Sequence, residues 1–217
     1  MAKLTAPLLS MGARGQIGKS MVIGNWRGID YARQYVTPAN PRTTAQQANR
    51  TRFALLREMY KLAPSVVRAP WDAFASGRPF TGVNKFVGEN NRLLNGQMDF
   101  AAMIMSPGAN GGLPPVDVQA VDGGDNTSIT VTVTVTDQLP DGWTVDGVAA
   151  SAVIDQDPTG LFSGPFKAGF AADPAREVDL SGFAPGDEVR AFGWVVYTKP
   201  NGAKAYSVSV SDLVTIL

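Results

Sequence analysis

Residues 128–136, Ser-Ile-Thr-Val-Thr-Val-Thr-Val-Thr, alternate strictly between aliphatic and hydroxyl side chains. A period of two puts Ile129, Val131, Val133 and Val135 on one face and the threonines on the other, which is the pattern of a half-buried β-strand. Such a strand needs sheet partners and a second layer over its aliphatic face. Residues 148–154, 166–170, 188–197 and 205–211 are further strand candidates, and Pro200-Asn-Gly202 between the last two is a hairpin turn, since Asn-Gly accepts the positive φ that such turns require. The stretch from about 116 to 217 has the length of one immunoglobulin-like β-sandwich.

Leu180-Ser-Gly-Phe-Ala-Pro-Gly186, followed by alternation from Val189, resembles the E–F corner of fibronectin type III domains. Val189 stands where that family usually carries a tyrosine. Upstream, Pro107-Gly-Ala-Asn-Gly-Gly-Leu-Pro-Pro115 is so dense in turn formers that it reads as a linker.

The first half, 1–106, has a different texture. Residues 19–36 read as two strands about a turn near Arg27-Gly28. A lone hairpin is marginal in water, so it must lie against something. Asn40-Pro41-Arg42 is a stop, after which Thr43 or Thr44 caps a helix with an apolar stripe at Phe53, Leu56, Met59, Tyr60 and Ala63. Pro64 and Pro70 break or restart helices, and Thr81 caps a third helix whose face is Val83, Phe86, Val87, Asn90, Leu93 and Leu94. The expected fold class is α+β then all-β: a small domain of β-hairpin plus helices over 1–106, a linker over 107–115, and a sandwich over 116–217.

Charge divides the chain at the same place. The net formal charge is zero, but residues 1–112 carry 14 of the 19 basic side chains and residues 113–217 carry 14 of the 19 acidic ones. A basic half suits an acidic partner surface; an acidic half suits solvent or a neighbouring copy's basic half.

The chain has no cysteine and no histidine. That removes disulfides, thiolate chemistry, the commonest base near neutral pH and the commonest transition-metal ligand, so no enzyme, cofactor or metal is expected. No apolar run approaches the ~20 residues of a membrane span, and the first ten residues are too short and proline-broken for a signal peptide, so the expectation is a cytoplasmic product with no membrane partner. Residues 13–20, Ala-Arg-Gly-Gln-Ile-Gly-Lys-Ser, fall one glycine short of a phosphate-binding loop and precede a strand-like segment rather than a helix; they read as a glycine turn before the hairpin. Asp155-Gln-Asp-Pro-Thr-Gly160 lacks the spaced ligands of a calcium loop and reads as a turn.

The partner-binding candidates are Lys19, Trp26, Arg27, Tyr31, Arg33, Arg42, Arg50 and Arg57. Trp26 and Tyr31 beside Arg27 and Arg33 make a set of interface anchors, a stacking surface for nucleic acid, or plain packing against the helices. Arg50 and Arg57, seven apart, share one helix face, which is a solvated face or a dock for an acidic partner. Trp143, Trp194 and Tyr197 would serve a glycan-binding sandwich only if exposed.

Gly15-x-x-Gly18-Lys19, then Asn25-Trp-Arg-Gly-Ile-Asp-Tyr-Ala-Arg33, then Pro38-Ala-Asn-Pro-Arg-Thr-Thr-Ala-Gln46 and Arg50-Thr-Arg-Phe53 resemble a group of phage and prophage structural proteins, a likeness continued by Pro70-Trp71, Phe80-Thr81, Asn84 and Phe86. The resemblance implies a bacteriophage virion structural protein, made in the host cytoplasm and present in many copies, whose partners are the major capsid protein or tail proteins. A capsid-surface decoration or cement protein docking through its basic half is the leading expectation. A tail or head–tail component is the alternative in the same class, and a nucleic-acid or glycan-binding module the alternative of another.

Overall fold

A computed structural model describes residues 2–3, 14–26, 29–37, 39–94, 100–155 and 166–217, without the side chains of 2, 3 and 26. The chain divides into two compact units, Met1–Thr43 and Thr44–Leu217.

The first unit is a four-stranded antiparallel sheet in the order β1-β4-β3-β2, from Ala2–Lys3 (β1), Gly15–Ile17 (β2), Met21–Trp26 (β3) and Ile29–Gln34 (β4). The expected hairpin is its centre, with Trp26 paired to Ile29; the turn expected near Arg27-Gly28 lies outside the described residues. The glycine-rich stretch before it is strand β2 and a turn at 18–20, with a strand and no helix after it.

The second unit opens with three helices: Thr44–Leu62 (α1), Ser65–Ala75 (α2) and Gly82–Leu93 (α3). Thr81 caps α3, its Oγ1 accepting from the Asn84 N–H at 3.4 Å. Pro64 opens α2 as expected, and its carbonyl accepts from Val67 and Arg68. Pro70 does not break α2; the helix runs through it. A missing interior N–H and a steric clash cost about 3 kcal/mol, offset by burying Val67 and Trp71, whose Nε1 donates to the Met105 carbonyl at 2.8 Å.

Eight strands follow: Asp117–Asp122 (β5), Ser128–Thr134 (β6), Thr144–Ile154 (β7), Lys167–Ala172 (β8), Glu177–Ser181 (β9), Glu188–Thr198 (β10), Lys204–Tyr206 (β11) and Val210–Thr215 (β12). They form two sheets, β5-β6-β9 and β8-β7-β10 with β11 and β12 both on the far side of β10. In immunoglobulin letters this is A-B-E against C′-C-F-G, so the second half is an immunoglobulin-like sandwich of the fibronectin type III arrangement. Ile129, Val131 and Val133 are fully buried as the alternation requires, and Gly202 takes φ +77° in the expected hairpin. At Gly193 of β10 an added Cβ would lie 2.8 Å from Val133 and 2.9 Å from Val118, so the two sheets approach closely there.

Strands β7 and β10 are buried on both faces. Val148, Ala150, Ala152, Val189, Ala191, Val195 and Tyr197 face the β5-β6-β9 sheet. Ala149, Val153, Phe192, Trp194 and Val196 share a second core with Leu55, Leu56, Met59, Val67, Trp71 and Phe86 of the helices. The unit therefore has three layers: helices, the β7-β10 sheet, and the outer β5-β6-β9 sheet. The helices, expected to group with the hairpin, belong with the sandwich because its second sheet has an apolar back to cover.

The segment expected to be a linker is stitched into this body. Pro107 bridges to Val208, Asn110 Nδ2 donates to the Lys204 carbonyl at 2.9 Å, and Tyr197 Oη donates to the Leu113 carbonyl at 3.2 Å. Just before it, Asn90 of α3 is fully buried: its Nδ2 donates to the Ile104 carbonyl (3.0 Å) and its Oδ1 accepts from the Ile104 N–H (2.8 Å). Ser209 Oγ accepts from the N–H groups of Met105 and Ser106. Thus 100–112 ties helix layer to sheet.

Candidate functional site

In the first unit, register decides which side chains meet. Tyr31 lies opposite Gly24 and Arg33 opposite Val22, two residues apart on one face of the sheet. The Tyr31 ring occupies the space a side chain at Gly24 would need: a Cβ there would sit 2.9 Å from the hydroxyl. The glycine is thus the floor under a half-buried aromatic. Arg33 and the turn residue Lys19 are exposed. On the other face Asn25 Nδ2 donates to Asp30 Oδ1 at 2.8 Å. Ile23 is the one residue of this sheet buried among those described, at 4% exposure. Arg42 is exposed, with its backbone in the left-handed region at φ +52°. Arg27 and the Trp26 side chain lie outside the described residues, as do Ala13 and residues 156–160 of the loop read as a turn.

In the second unit, no residue from 44 to 54 is buried, so the first turns of α1 carry Arg50 and Phe53 in the open. Phe53, expected on the core stripe, is 52% exposed, and Leu55 takes the core position instead. The reason is support: α1 meets the core only from Leu55 onward. Phe53 and Arg57 form one wall of a groove of about 330 Å³, with Val83, Asn84, Val87 and Gly88 of α3 as the other. Arg52 Nε reaches Asn91 Oδ1 at 3.5 Å across the same two helices. Glu58 pairs with Lys61 at 3.7 Å, and Glu89 with Lys85 and with Arg92, the latter at 3.0 Å. The hydrogen bonds from Lys85 and then Arg92 hold the Glu89 carboxyl below its ordinary pKa. Arg57 has no ion-pair partner among the described residues.

The structure thus splits the expected site between the units. Lys19, Tyr31, Arg33 and Arg42 fall in the first and Arg50 and Arg57 in the second. The α3 wall of the groove was missed. Val83 and Val87 read as core stripe, and only the pairing of α1 with α3 shows that their flank stays open.

The glycan reading fails on burial. Trp194 and Tyr197 are fully buried, the former because the helices cover the sheet face it points from. Trp143 packs edge-on against Tyr197 under Lys199. Asp155, first of the acidic loop, is taken up by Arg190 at 2.8 Å, and no cluster of three or more acidic side chains suited to a metal occurs among the described residues.

No family model matches this chain, and no curated protein does. Among solved structures it is similar to the third fibronectin III domain of the human KIAA0343 protein, at 17% identity and TM-score 0.37, covering 51% of this chain and 92% of that one. It is also similar to a fourth FNIII domain from human (18% identity, 48% and 79% covered, TM-score 0.35) and to a structure described as a myokine (17%, 47% and 94%, 0.34).

Proposed function

We propose that this chain is a non-catalytic structural protein of a bacteriophage virion, a capsid-surface decoration protein that docks through its first unit. The observation that carries the reading is the sheet of Met1–Thr43, a compact unit of its own with one buried residue among those described. A sheet with so little core gains stability by lying on another surface. Its exposed Lys19 and Arg33, with Tyr31 held over Gly24, supply the aromatic and cationic contacts that interfaces favour. The resemblance of this segment to phage structural proteins supports the same reading, and the sandwich is the part left to project from the particle.

The test is incorporation. Particles are assembled with wild-type chain or with Lys19→Glu/Arg33→Glu, and the chain is quantified in purified particles. Both residues are exposed, so the variant folds, and its copy number should fall at least tenfold through repulsion from an acidic docking surface. Unchanged incorporation refutes docking by this face.

A further inference from the structure

The three-layer unit carries opposite charges on its two outer layers. The helical layer, residues 44–93, holds eight basic residues against Glu58, Asp72 and Glu89, and two of those three acids are already paired with helix cations. The outer sheet on the far side carries Asp117, Glu177 and Asp179 at outward-facing positions of β5 and β9, with no lysine or arginine on its three strands. Asp122, opposite the buried Ile129, instead accepts from the Gly124 and Leu217 N–H groups. The doubly buried strands β7 and β10 keep the two layers apart.

Each layer also offers an apolar contact beside its charges. On the helical side it is Phe53, next to Arg57 in the α1–α3 groove. On the sheet side it is Val121, 56% exposed, in one cross-strand row with Thr130 and Asp179. Gln119, Thr132 and Glu177 form the next row.

Symmetry then limits how copies can meet. A two-fold interface sets a patch against itself, which here brings arginine to arginine or carboxylate to carboxylate. Only a head-to-tail contact matches the signs. We propose that copies of this chain associate head to tail, the α1–α3 groove of one seated on the outer β5-β6-β9 sheet of the next. Arg57 faces Glu177 and Asp179, and Phe53 meets Val121. This rests on the reading of a multi-copy structural protein and names the partner of the Arg50–Arg57 face. A head-to-tail contact repeats, so it yields a ring if the rotation closes and a stack if it does not.

The experiment is sedimentation velocity of the purified full chain over a concentration series at ~0.03 M and ~0.3 M salt, which shortens the screening length several-fold. Wild type should associate at low salt and dissociate at high salt. Arg57→Glu and Asp179→Arg should each weaken association about tenfold. Their equimolar mixture should recover it, because the carboxylate introduced at position 57 of one chain then meets the guanidinium introduced at position 179 of the other, while the second contact stays native. Circular dichroism confirms that both exposed-site variants are folded. A wild type that stays monomeric throughout, or association that both variants leave intact, overturns the proposal. So does a monomer that binds duplex DNA with a steep salt dependence, which would make the helical layer a phosphate-binding face. No particle enters this assay, so it can fail while particle docking stands, and the reverse.

Discussion

Asn90→Ala tests whether helices and sandwich are one folding unit. The side chain is fully buried and makes two hydrogen bonds to the backbone of Ile104, at 3.0 and 2.8 Å. Truncation leaves one N–H and one carbonyl of a half-buried segment without partners, at about 1–2 kcal/mol each, or about 2–4 kcal/mol in all. For a unit the size of Thr44–Leu217, each kcal/mol moves Tm by about 2–4 °C, so the expected fall is about 5–15 °C. Asn91→Ala, next in sequence and only an acceptor for Arg52 at 3.5 Å, is the control and should cost less than about 0.5 kcal/mol. Helical circular dichroism reports on α1–α3, and hydrogen exchange of β6 and β10 amides reports on the sandwich. Because Phe192 and Trp194 of β10 lie in the core of the helices, both signals should move together. Early loss of the helical signal, with β6 and β10 keeping wild-type protection, would refute the three-layer unit.

Three further outcomes follow from the same packing. Gly193→Ala drives a Cβ against Val118 and Val133 and should destabilise by about 1–3 kcal/mol in denaturant titration. Ser151→Ala removes a buried hydroxyl that has no partner among the described residues; it should be neutral or stabilising by up to about 1 kcal/mol, and a clear loss would show that the hydroxyl is satisfied. Tyr60, Tyr197 and Tyr206 are all pushed above their ordinary pKa, chiefly by burial, with Asp72 adding to the effect at Tyr60. Above pH ~10 the unfolded chain releases these protons while the folded chain keeps them, so stability present at neutral pH is lost as pH rises past that point. Ultraviolet titration of the folded chain should show these three tyrosines ionising above the ordinary tyrosine range, Tyr60 last.

How much was legible in the sequence varied with the physics of each segment. Strand β6 showed itself because one of its faces is buried and the other is not. Strands β7 and β10 were recognised as strands, but their second message went unread. Ala191-Phe-Gly-Trp-Val-Val-Tyr197 has no charged or hydroxyl-bearing residue except the terminal tyrosine, and an unbroken apolar run of strand length indicates cover on both faces. That run calls for a covering layer on the back of the sandwich, which the helices supply. Composition misled at 107–115, where turn formers make a compact, hydrogen-bonded crossing rather than a spacer; glycine and proline specify a bent backbone, not a free one. The exposed start of α1 was legible too, since 44–52 contain no large apolar residue. The groove was not, because it depends on which helix α3 flanks. Tyr31 and Arg33 could be placed on one face by alternation alone, whereas the cover of Tyr31 over Gly24 needed the cross-strand register.

The central claim is that this chain is a multi-copy component of a virion surface. Quantitative mass spectrometry of particles purified from the phage or induced prophage that encodes it, with the major capsid protein as internal standard, tests it directly. The account predicts a copy number comparable to that of the capsid protein. Absence of the chain from purified particles, with the protein abundant in the lysate, would contradict it.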